Sequence, residues 1–406
     1  MLGEPREASP RAREGALFVF ALAVRLFFLA LFTRRGMALT LGRDPYYSVA
    51  MSWLGFGPKL DMDATHPPLY SGFIAAVLGV LRTCDPTAIL VLQAILSAAS
   101  CVLLLRLARR LGDLRVGALA AFWMALDPAL IFYAPQLQSE TLFVVLELGF
   151  FLTLYWSLEP GLDSSSRALA AGLLGAAASL CRSVFAAYPI FLVPAVWTML
   201  GVRRSMKWTA AFCLGWLIPI GAWTARNFER YGEIIPISSQ MGWTFYEGFT
   251  LDRREIERRP SEMADELRRQ GISGHVEGAR YFKHKTLRFI REYPMAAARI
   301  IAGKALLYWR PWPYDPYTPA QRVLVGAYYA LLFGLALAGA WELRREIRLW
   351  LPIAGLFAYL TASHAVFFTS LRYRVPLEPF LCLLAAKGAL RAWDVARKNG
   401  GPQTPC

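Results

Sequence analysis

The sequence is short of charge for its length. Asp, Glu, Lys and Arg make up 18% of the 406 residues, whereas about 25% is usual in soluble proteins. Negative charge is the scarcer sign, because 29 acidic side chains stand against 44 Lys and Arg. The six cysteines form no Cys-x-x-Cys pair and most lie in apolar runs, which argues against a zinc site and against a disulfide framework.

Hydrophobic residues are what the chain has in excess. They account for 56% of the sequence, aromatic residues for 14%, and the mean hydropathy is +0.37. Such a composition is too apolar for a soluble protein and too hydrophobic for a disordered one. The pI near 9.8 raises nucleic-acid binding as an alternative, and the position of the basic residues decides whether it holds.

Apolar runs long enough to cross about 30 Å of hydrocarbon recur along the chain. The first follows a short Arg-bearing leader and has no small-residue cleavage site after it, so we expect a retained helix rather than a signal peptide. The sequence therefore predicts an all-α integral membrane protein with ten transmembrane helices, near residues 16–33, 86–108, 115–133, 141–158, 168–181, 184–200, 207–226, 321–341, 350–369 and 375–393.

Two further apolar runs are predicted to lie at the membrane interface. Pro67–Leu81 has only fifteen residues, and Pro294–Arg310 carries Arg299 and Lys304. With both runs at the interface, the basic clusters that flank the spans all fall on one side, which the positive-inside rule assigns to the cytoplasm. Both termini are then cytoplasmic, and most basic residues orient helices rather than bind nucleic acid.

This topology predicts three parts of the chain and a bacterial inner-membrane location. An N-terminal transmembrane module covers 1–226 and includes a first outer loop over 34–86. An outer-face region with interfacial helices covers 227–320, and C-terminal transmembrane helices cover 321–406. Within the outer region, Asn227 to Glu292 holds 12 basic and 11 acidic side chains, so it is nearly neutral and predicted to be solvated.

Ionisable and polar residues from six separate places in the sequence fall on the predicted outer face. Because charge at the membrane edge is costly to keep, such residues are candidates for function. Inside the spans, Arg25 and Glu147 are predicted to have structural roles, paired with each other or with a neighbour. The outer-face candidates are Asp44, Glu140, Arg43, Tyr47, His66, Tyr70, Arg182, Arg226, Asn227, Arg372 and Arg374.

The residue types in this group suit transfer of a sugar from a lipid phosphate. Guanidinium groups match phosphate oxygens in a bidentate fork, and a carboxylate can accept the proton of an attacking hydroxyl. The residues identify no definite cofactor, and metal dependence stays open, because a carboxylate here could also hold a divalent cation that bridges the phosphate. Aspartates at 61 and 63 form a short DxD pattern that also fits a plain solvated loop.

Each of these residues also has a purely structural interpretation. Asp44 before Pro45 fits a helix N-cap with proline at the first helical position, and Glu140 fits a cap of the fourth span. The Arg372–Arg374 pair could anchor a helix end, but it lies against the positive-inside pattern, which favours ligand binding. A transporter or flippase of a lipid-linked glycan is the alternative function, although no paired halves are visible.

Several segments in order resemble the GT-C membrane glycosyltransferases. The similarity is to the branch of dolichyl-phosphate-mannose protein mannosyltransferases, aminoarabinose lipid A transferases and rhizobial galacturonosyltransferases. It covers most of the chain and is weakest over about 250–290. The segments that carry it are RDPYYSVAMSWL, THPPLYSGFIAAV, LARRLGDLRVGALAAFWMALDPALIFYAPQLQSETLF, ARNFERYGEIIPISSQMGWTFYEGF and SLRYRVPLEPFLCLLAAKGA.

The resemblance implies the GT-C fold with a site on the outer face beneath interfacial helices. It implies a polyprenyl-phosphate sugar donor and a lipid, glycan or protein acceptor. Asp44 corresponds to the first-loop acidic residue, the usual candidate base, and Glu140 to the second-loop acidic residue. Arg226, Arg372 and Arg374 lie where family members place basic residues near the carrier phosphate. The protein mannosyltransferases have an acidic pair at the first position, whereas Asp44 lies between Arg43 and Pro45.

Overall fold

The computed structural model describes residues 9–34, 44–56, 64–160, 164–249, 253–312 and 318–399, with only the backbone described for 253–260 and 399. These residues form helices and connecting turns and contain no β-strand, which confirms the predicted all-α class. The helices are α1 (Pro10–Arg34), α2 (Pro45–Trp53), α3 (Pro68–Leu81), α4 (Thr87–Arg110), α5 (Leu114–Ala125), α6 (Pro128–Tyr133), α7 (Glu140–Leu158), α8 (Ser164–Cys181), α9 (Pro189–Trp197), α10 (Val202–Tyr231), α11 (Gln240–Glu247), α12 (Arg253–Arg269), α13 (His275–Glu292), α14 (Pro294–Tyr308), α15 (Pro319–Glu342), α16 (Ile347–Val366) and α17 (Glu378–Asn399).

Membrane-spanning capacity follows from the length and composition of these helices. By those criteria five segments of the described chain qualify, namely α1, α4, α7, α10 and the continuous stretch from α15 through α16. Shorter apolar helices are α3, α5 and the segment 183–197. The protein is therefore an all-α membrane protein, and ten as the number of spans stays a prediction.

The helices of the bundle pack closely where small residues face each other. α8 packs against both α7 and α10, and α15 packs against α17. A Cβ on Gly172 would overlap the Phe212 carbonyl of α10, and a Cβ on Gly339 would overlap the Leu384 carbonyl of α17. Glycine lets the two backbones touch directly, which is a common means of helix association in membranes.

The predicted third span is broken into two helices. α5 ends at Ala125, and Asp127 caps α6 by accepting a hydrogen bond from the Leu130 N–H at 2.9 Å. A helix begins readily at Asp-Pro because proline at the first position needs no donor. The prediction of one continuous helix over 115–133 is therefore wrong. Short 3₁₀ turns precede two other helices: Ser183–Ala187 precedes α9, and Leu371–Leu377 precedes α17.

Arg25 of α1 satisfies the backbone at this break. Its guanidinium donates to the Ala125 carbonyl at 2.5 Å, to the Met124 carbonyl at 3.1 Å and to Ser97 Oγ at 2.9 Å. The side chain is 1% exposed, so these bonds replace water at the end of α5. Arg25 has the structural role that we expected but does not pair with Glu147, whose carboxylate oxygens accept no hydrogen bond from the described residues.

Helices α11 to α13 form a small unit with its own core, which we call the outer unit after its predicted side of the membrane. Met263, Leu267 and Phe282 are buried there, and Trp243 and Tyr246 pack against them. The unit contacts the first loop through the Ser239 N–H, which donates to the Ala64 carbonyl at 2.8 Å. These contacts place the unit beside the short helices α2 and α3.

Candidate active site

Three charged side chains from distant parts of the sequence meet at one end of the bundle. Glu140 is the first residue of α7, Arg182 directly follows α8, and Arg372 lies in the turn before α17. Arg182 Nη1 is 2.6 Å from Glu140 Oε1. Arg372 binds the same oxygen through Nε and donates to Oε2 through Nη2 at 3.3 Å. We call this end of the bundle the site end.

The charges of this cluster do not cancel. Glu140 is 1% exposed and Arg182 8%, whereas the Arg372 side chain is 30% exposed. Burial lowers the pKa of the Arg372 guanidinium, but Glu140 outweighs it and leaves that pKa raised. Two fixed positive charges therefore share one carboxylate, and the more accessible of them can meet a further anion. Buried ion pairs are costly unless well bonded, which makes such a cluster a functional candidate.

Asp44 lies beside this cluster at the start of α2. Its Oδ1 accepts a hydrogen bond from the Tyr47 N–H at 2.9 Å, so it is the N-cap that the Asp-Pro pattern predicts. The pKa of the Asp44 carboxyl is raised, mainly because the group is partly buried. The charge of Glu140 adds to this increase, and the charge of Arg372 opposes it. Both charged residues are thus close enough to act on Asp44. A half-buried carboxylate with a raised pKa is a better proton acceptor than an ordinary aspartate.

Aromatic and histidine side chains form one wall next to Asp44. The Tyr46 ring contacts the His66 ring edge-on at 4.9 Å and the Tyr70 ring at 5.1 Å. Burial, aided by His275 and Arg372, lowers the pKa of His66 to about 4, so the imidazole is neutral at physiological pH. Tyr70 is fully buried, and its hydroxyl donates to Gln93 Oε1 at 2.5 Å.

Other predicted site residues contact different parts of the protein. The Tyr47 hydroxyl donates to the Cys84 carbonyl at 2.7 Å. Arg226 lies over the Trp223 ring at 4.7 Å and donates to Asn227 Oδ1 at 3.0 Å. Asn227 is buried and its Nδ2 donates to the Ile235 carbonyl at 2.9 Å. The contacts of Arg226 and Asn227 stabilise the end of α10 and the turn after it. Arg43 lies outside the described residues.

Arg374 is enclosed by the protein, unlike its neighbour Arg372. Its guanidinium pairs with Glu378 at 3.1 Å, donates to the Arg310 carbonyl at 3.0 Å and lies over the Tyr329 ring at 4.2 Å. The side chain is 0% exposed. The alternation in Arg-Tyr-Arg therefore directs Arg372 to Glu140 and Arg374 into the contact between α14, α15 and α17.

The sequence predicts no role for Tyr373 and His364 at the site end, or for His275 of the outer unit. Tyr373 places its ring 5.7 Å from the Arg182 guanidinium, and His364 stacks on Tyr373 at 4.7 Å. The position of Tyr373 between two candidate arginines is the only sequence signal for it. His275, from the outer unit, has Nδ1 3.2 Å from Thr65 Oγ1 and 3.3 Å from Ser239 Oγ.

A divalent cation would need acidic or imidazole ligands at this site. The described part of the chain contains no group of three His, Cys, Asp or Glu side chains placed to hold a metal ion. The Glu140 carboxylate is bound by two guanidiniums, so a cation would have to displace them. The described residues alone therefore supply no set of three metal ligands at this site, and the DxD aspartates at 61 and 63 lie outside them.

Comparison with known proteins gives a partial family match. A family model described as dolichyl-phosphate-mannose-protein mannosyltransferase matches residues 65–223. That range includes α3 to α9 and most of α10, and with them Glu140 and Arg182. No protein of curated function matches the sequence significantly.

Solved structures with a similar fold include those of an archaeal oligosaccharyltransferase. One is the oligosaccharyltransferase AglB from Archaeoglobus fulgidus in complex with an inhibitory peptide and a dolichol-phosphate, with a TM-score of 0.54 and 11% identity over 97% of this chain and 52% of that one. Another is the Archaeoglobus fulgidus oligosaccharyltransferase in the apo form, with a TM-score of 0.59 and 12% identity over 95% of this chain and 51% of that one. The chain thus spans about half the length of these proteins.

Proposed function

Because the chain has the fold of the GT-C superfamily of membrane glycosyltransferases, we propose that it transfers a sugar from a polyprenyl-phosphate donor to a hydroxyl group. The acceptor is a lipid, glycan or protein at the outer face of the membrane. The observation that carries the proposal is the convergence of Arg182 and Arg372 on a single carboxylate beside Asp44. The partial mannosyltransferase match supports it, because the matched residues 65–223 include Glu140 and Arg182.

The arginine pair suits the leaving group of such a reaction. A polyprenyl phosphate gains negative charge as its bond to the sugar breaks, and guanidiniums stabilise that charge most strongly where water is excluded. Arg372 is the first cation an entering phosphate would meet because it is the more exposed of the two. Glu140 then acts as a positioning residue that holds both guanidiniums at the correct separation.

Asp44 is the proposed general base. The acceptor oxygen bonds to the anomeric carbon while the bond from that carbon to the phosphate oxygen breaks, with inversion. The proton of the acceptor hydroxyl moves to the Asp44 carboxylate, and the electron pair of the broken bond leaves with the polyprenyl phosphate. The raised pKa of Asp44 favours the proton transfer.

The positions of basic residues support an outer-face site in a bacterial inner membrane. α7 runs from Glu140 at the site end to Leu158 at the opposite end of the bundle. At that opposite end, Arg204 donates to the Leu158 carbonyl at 2.8 Å and Arg110 pairs with Glu159. These arginines belong to the clusters that the positive-inside rule assigns to the cytoplasm. Both termini would then be cytoplasmic.

The test compares Asp44→Asn with Asp113→Asn. Asp113 is a matched control because it caps α5 by accepting a hydrogen bond from the Val116 N–H at 3.0 Å, far from the site. Asparagine keeps both caps, so both variants should fold. With radiolabelled polyprenyl-phosphate sugars and membranes of the source organism as acceptor, we expect Asp44→Asn to lose about 100-fold or more of the transfer rate, the usual range for a general base.

Near-normal transfer by Asp44→Asn would contradict the mechanism and leave Asp44 as a cap. Absence of transfer in the unsubstituted protein, together with movement of intact donor across vesicles, would favour the flippase alternative. Because both measurements use the same reconstituted chain, the two functions are distinguishable.

A further inference from the structure

One helix of the outer unit has a strongly basic exposed face. The opposite face of α13 packs through Ala279, Phe282 and Thr286, which are 6%, 0% and 1% exposed. Lys283, Arg288 and Arg291 are exposed. α13 is therefore held firmly by its apolar face, and its cations are displayed outward by the helical period.

The excess positive charge of residues 227–292 is concentrated on α13. α13 contains five Lys and Arg against two Glu, whereas residues 227–274 contain seven against nine. Arg280 pairs with Glu233 and Lys285 with Glu266. No described residue forms an ion pair with the remaining three cations, Lys283, Arg288 and Arg291. The segment is nearly neutral as a whole, so its positive face is a local feature that overall composition conceals.

Exposed apolar residues accompany these cations and continue into α14. Leu287 lies on the same face of α13, between Lys283 and Arg291, and is 46% exposed. Tyr293 and Met295, at the junction with α14, are 57% and 69% exposed. Cations interleaved with exposed apolar side chains are typical of a helix that lies on a membrane surface.

The fold connects α13 to a segment that is long and apolar enough to span a membrane. α13 leads directly into α14, whose Lys304 Nζ donates to the Val366 and Phe367 carbonyls at 2.9 and 2.6 Å. That contact joins α14 to the end of α16, a helix of the apolar stretch long enough to span a membrane. The helix that carries the basic face is thus connected through α14 to the end of this apolar stretch.

We propose that Lys283, Arg288 and Arg291, with Leu287 between them, form a surface that binds the headgroups of anionic phospholipids in the outer leaflet. Charge complementarity and the interleaved apolar residues argue for a lipid headgroup rather than a soluble anion. The surface would hold the outer unit against the membrane beside the site end. This binding does not depend on the proposed transferase activity.

Native mass spectrometry of the full chain in neutral detergent tests the proposal, with phosphatidylglycerol and phosphatidylcholine as probes. The variant is Lys283→Gln/Arg288→Gln/Arg291→Gln. The control is Arg268→Gln/Arg269→Gln, which removes exposed charge from α12. Each cation near a membrane surface strengthens binding to anionic lipid. We therefore expect the affinity of the variant for phosphatidylglycerol to fall by about tenfold or more. Its affinity for phosphatidylcholine should not change. The control should bind both lipids like the unsubstituted chain.

Two results would overturn the proposal. In the first, the triple variant binds phosphatidylglycerol as well as the unsubstituted chain does, and its melting temperature matches that of the control. The basic face of α13 would then be exposed to solvent and would not bind lipid. Displacement of phosphatidylglycerol by millimolar inorganic phosphate, in the unsubstituted chain but not in the triple variant, would identify a site for free anions instead. The variant Lys283→Arg/Arg288→Lys/Arg291→Lys keeps the three positive charges but changes the side chains that carry them. Phosphatidylglycerol binding equal to that of the unsubstituted chain would show that charge, and not side-chain shape, determines the affinity.

Discussion

Replacing Glu140 by glutamine should destabilise the protein and create a vacant anion site. The substitution keeps the shape of the side chain but removes the one negative charge between Arg182 and Arg372. The two guanidiniums then repel each other in a region where water is scarce. The amide also presents N–H donors to groups that can only donate.

The size of the effect follows from the burial of the cluster. Removing one partner of a buried ion pair costs about 3–5 kcal/mol, because the remaining charge is left uncompensated. A loss of 1 kcal/mol lowers the melting temperature of a 150–250-residue protein by about 2–4 °C and that of a longer chain by less. For this chain we therefore expect a decrease of about 3–10 °C.

The assay is thermal unfolding of the purified protein in detergent, with Glu159→Gln as the matched control. Glu159 also pairs with an arginine, Arg110, but their side chains are 48% and 29% exposed. Such pairs contribute about 0–1 kcal/mol, so the control should melt within about 2 °C of the unsubstituted protein. Added phosphate should raise the melting temperature of Glu140→Gln most, because it supplies the missing negative charge.

Two results would refute this reasoning. If Glu140→Gln and Glu159→Gln melted at the same temperature, the Glu140 cluster would not be a buried ion pair of structural importance. If phosphate stabilised both variants and the unsubstituted protein equally, the arginine pair would not bind phosphate. The phosphate result bears directly on the donor class that we propose, and the stability result does not.

Two further predictions concern the pH profile and the helix contacts. The pKa of Asp44 is raised above its ordinary value of 3.8, so transfer should fall as the pH drops through that raised pKa, and any residual activity of Asp44→Asn should lack this acid limb. By the same linkage, Asp44 ionised at neutral pH lowers stability relative to the protonated form. Gly172→Ala should lower the melting temperature, because its Cβ would overlap the α10 backbone, whereas Gly149→Ala, with open space around it, should leave it unchanged or higher. Equal melting temperatures for the two alanine variants would contradict the close packing of α8 and α10.

The membrane class and the helical content could be predicted because they depend on local composition. A run of about 20 apolar residues has to form a helix in hydrocarbon, since no water is present to bond the backbone. Helix boundaries were less accurate where a polar side chain from elsewhere satisfied the backbone. Arg25 is the clearest case, since its bonds to the carbonyls at the end of α5 permit a break that the apolar run from 115 to 133 conceals.

The candidate site was predictable in part, because topology alone places helix ends on one face. Asp44, Glu140, Arg182 and Arg372 were all expected at that face, and in the structure Glu140 contacts both arginines while Asp44 lies within their electrostatic reach. Topology does not give rotation about a helix axis or the direction of a side chain. For that reason the sequence could not separate Arg372, which reaches Glu140, from Arg374, which is enclosed with Glu378.

The sequence by itself determined that this is an all-α membrane protein and that its polar residues gather at helix ends, because both follow from the cost of placing polar groups in hydrocarbon. Only the tertiary structure decided which charges meet. Glu140, Arg182 and Arg372 are brought together by the packing of α7, α8 and the turn before α17, and long-range packing leaves no local trace in the sequence. The pair of guanidiniums at that contact is the physical basis on which we propose a phosphate-bearing substrate.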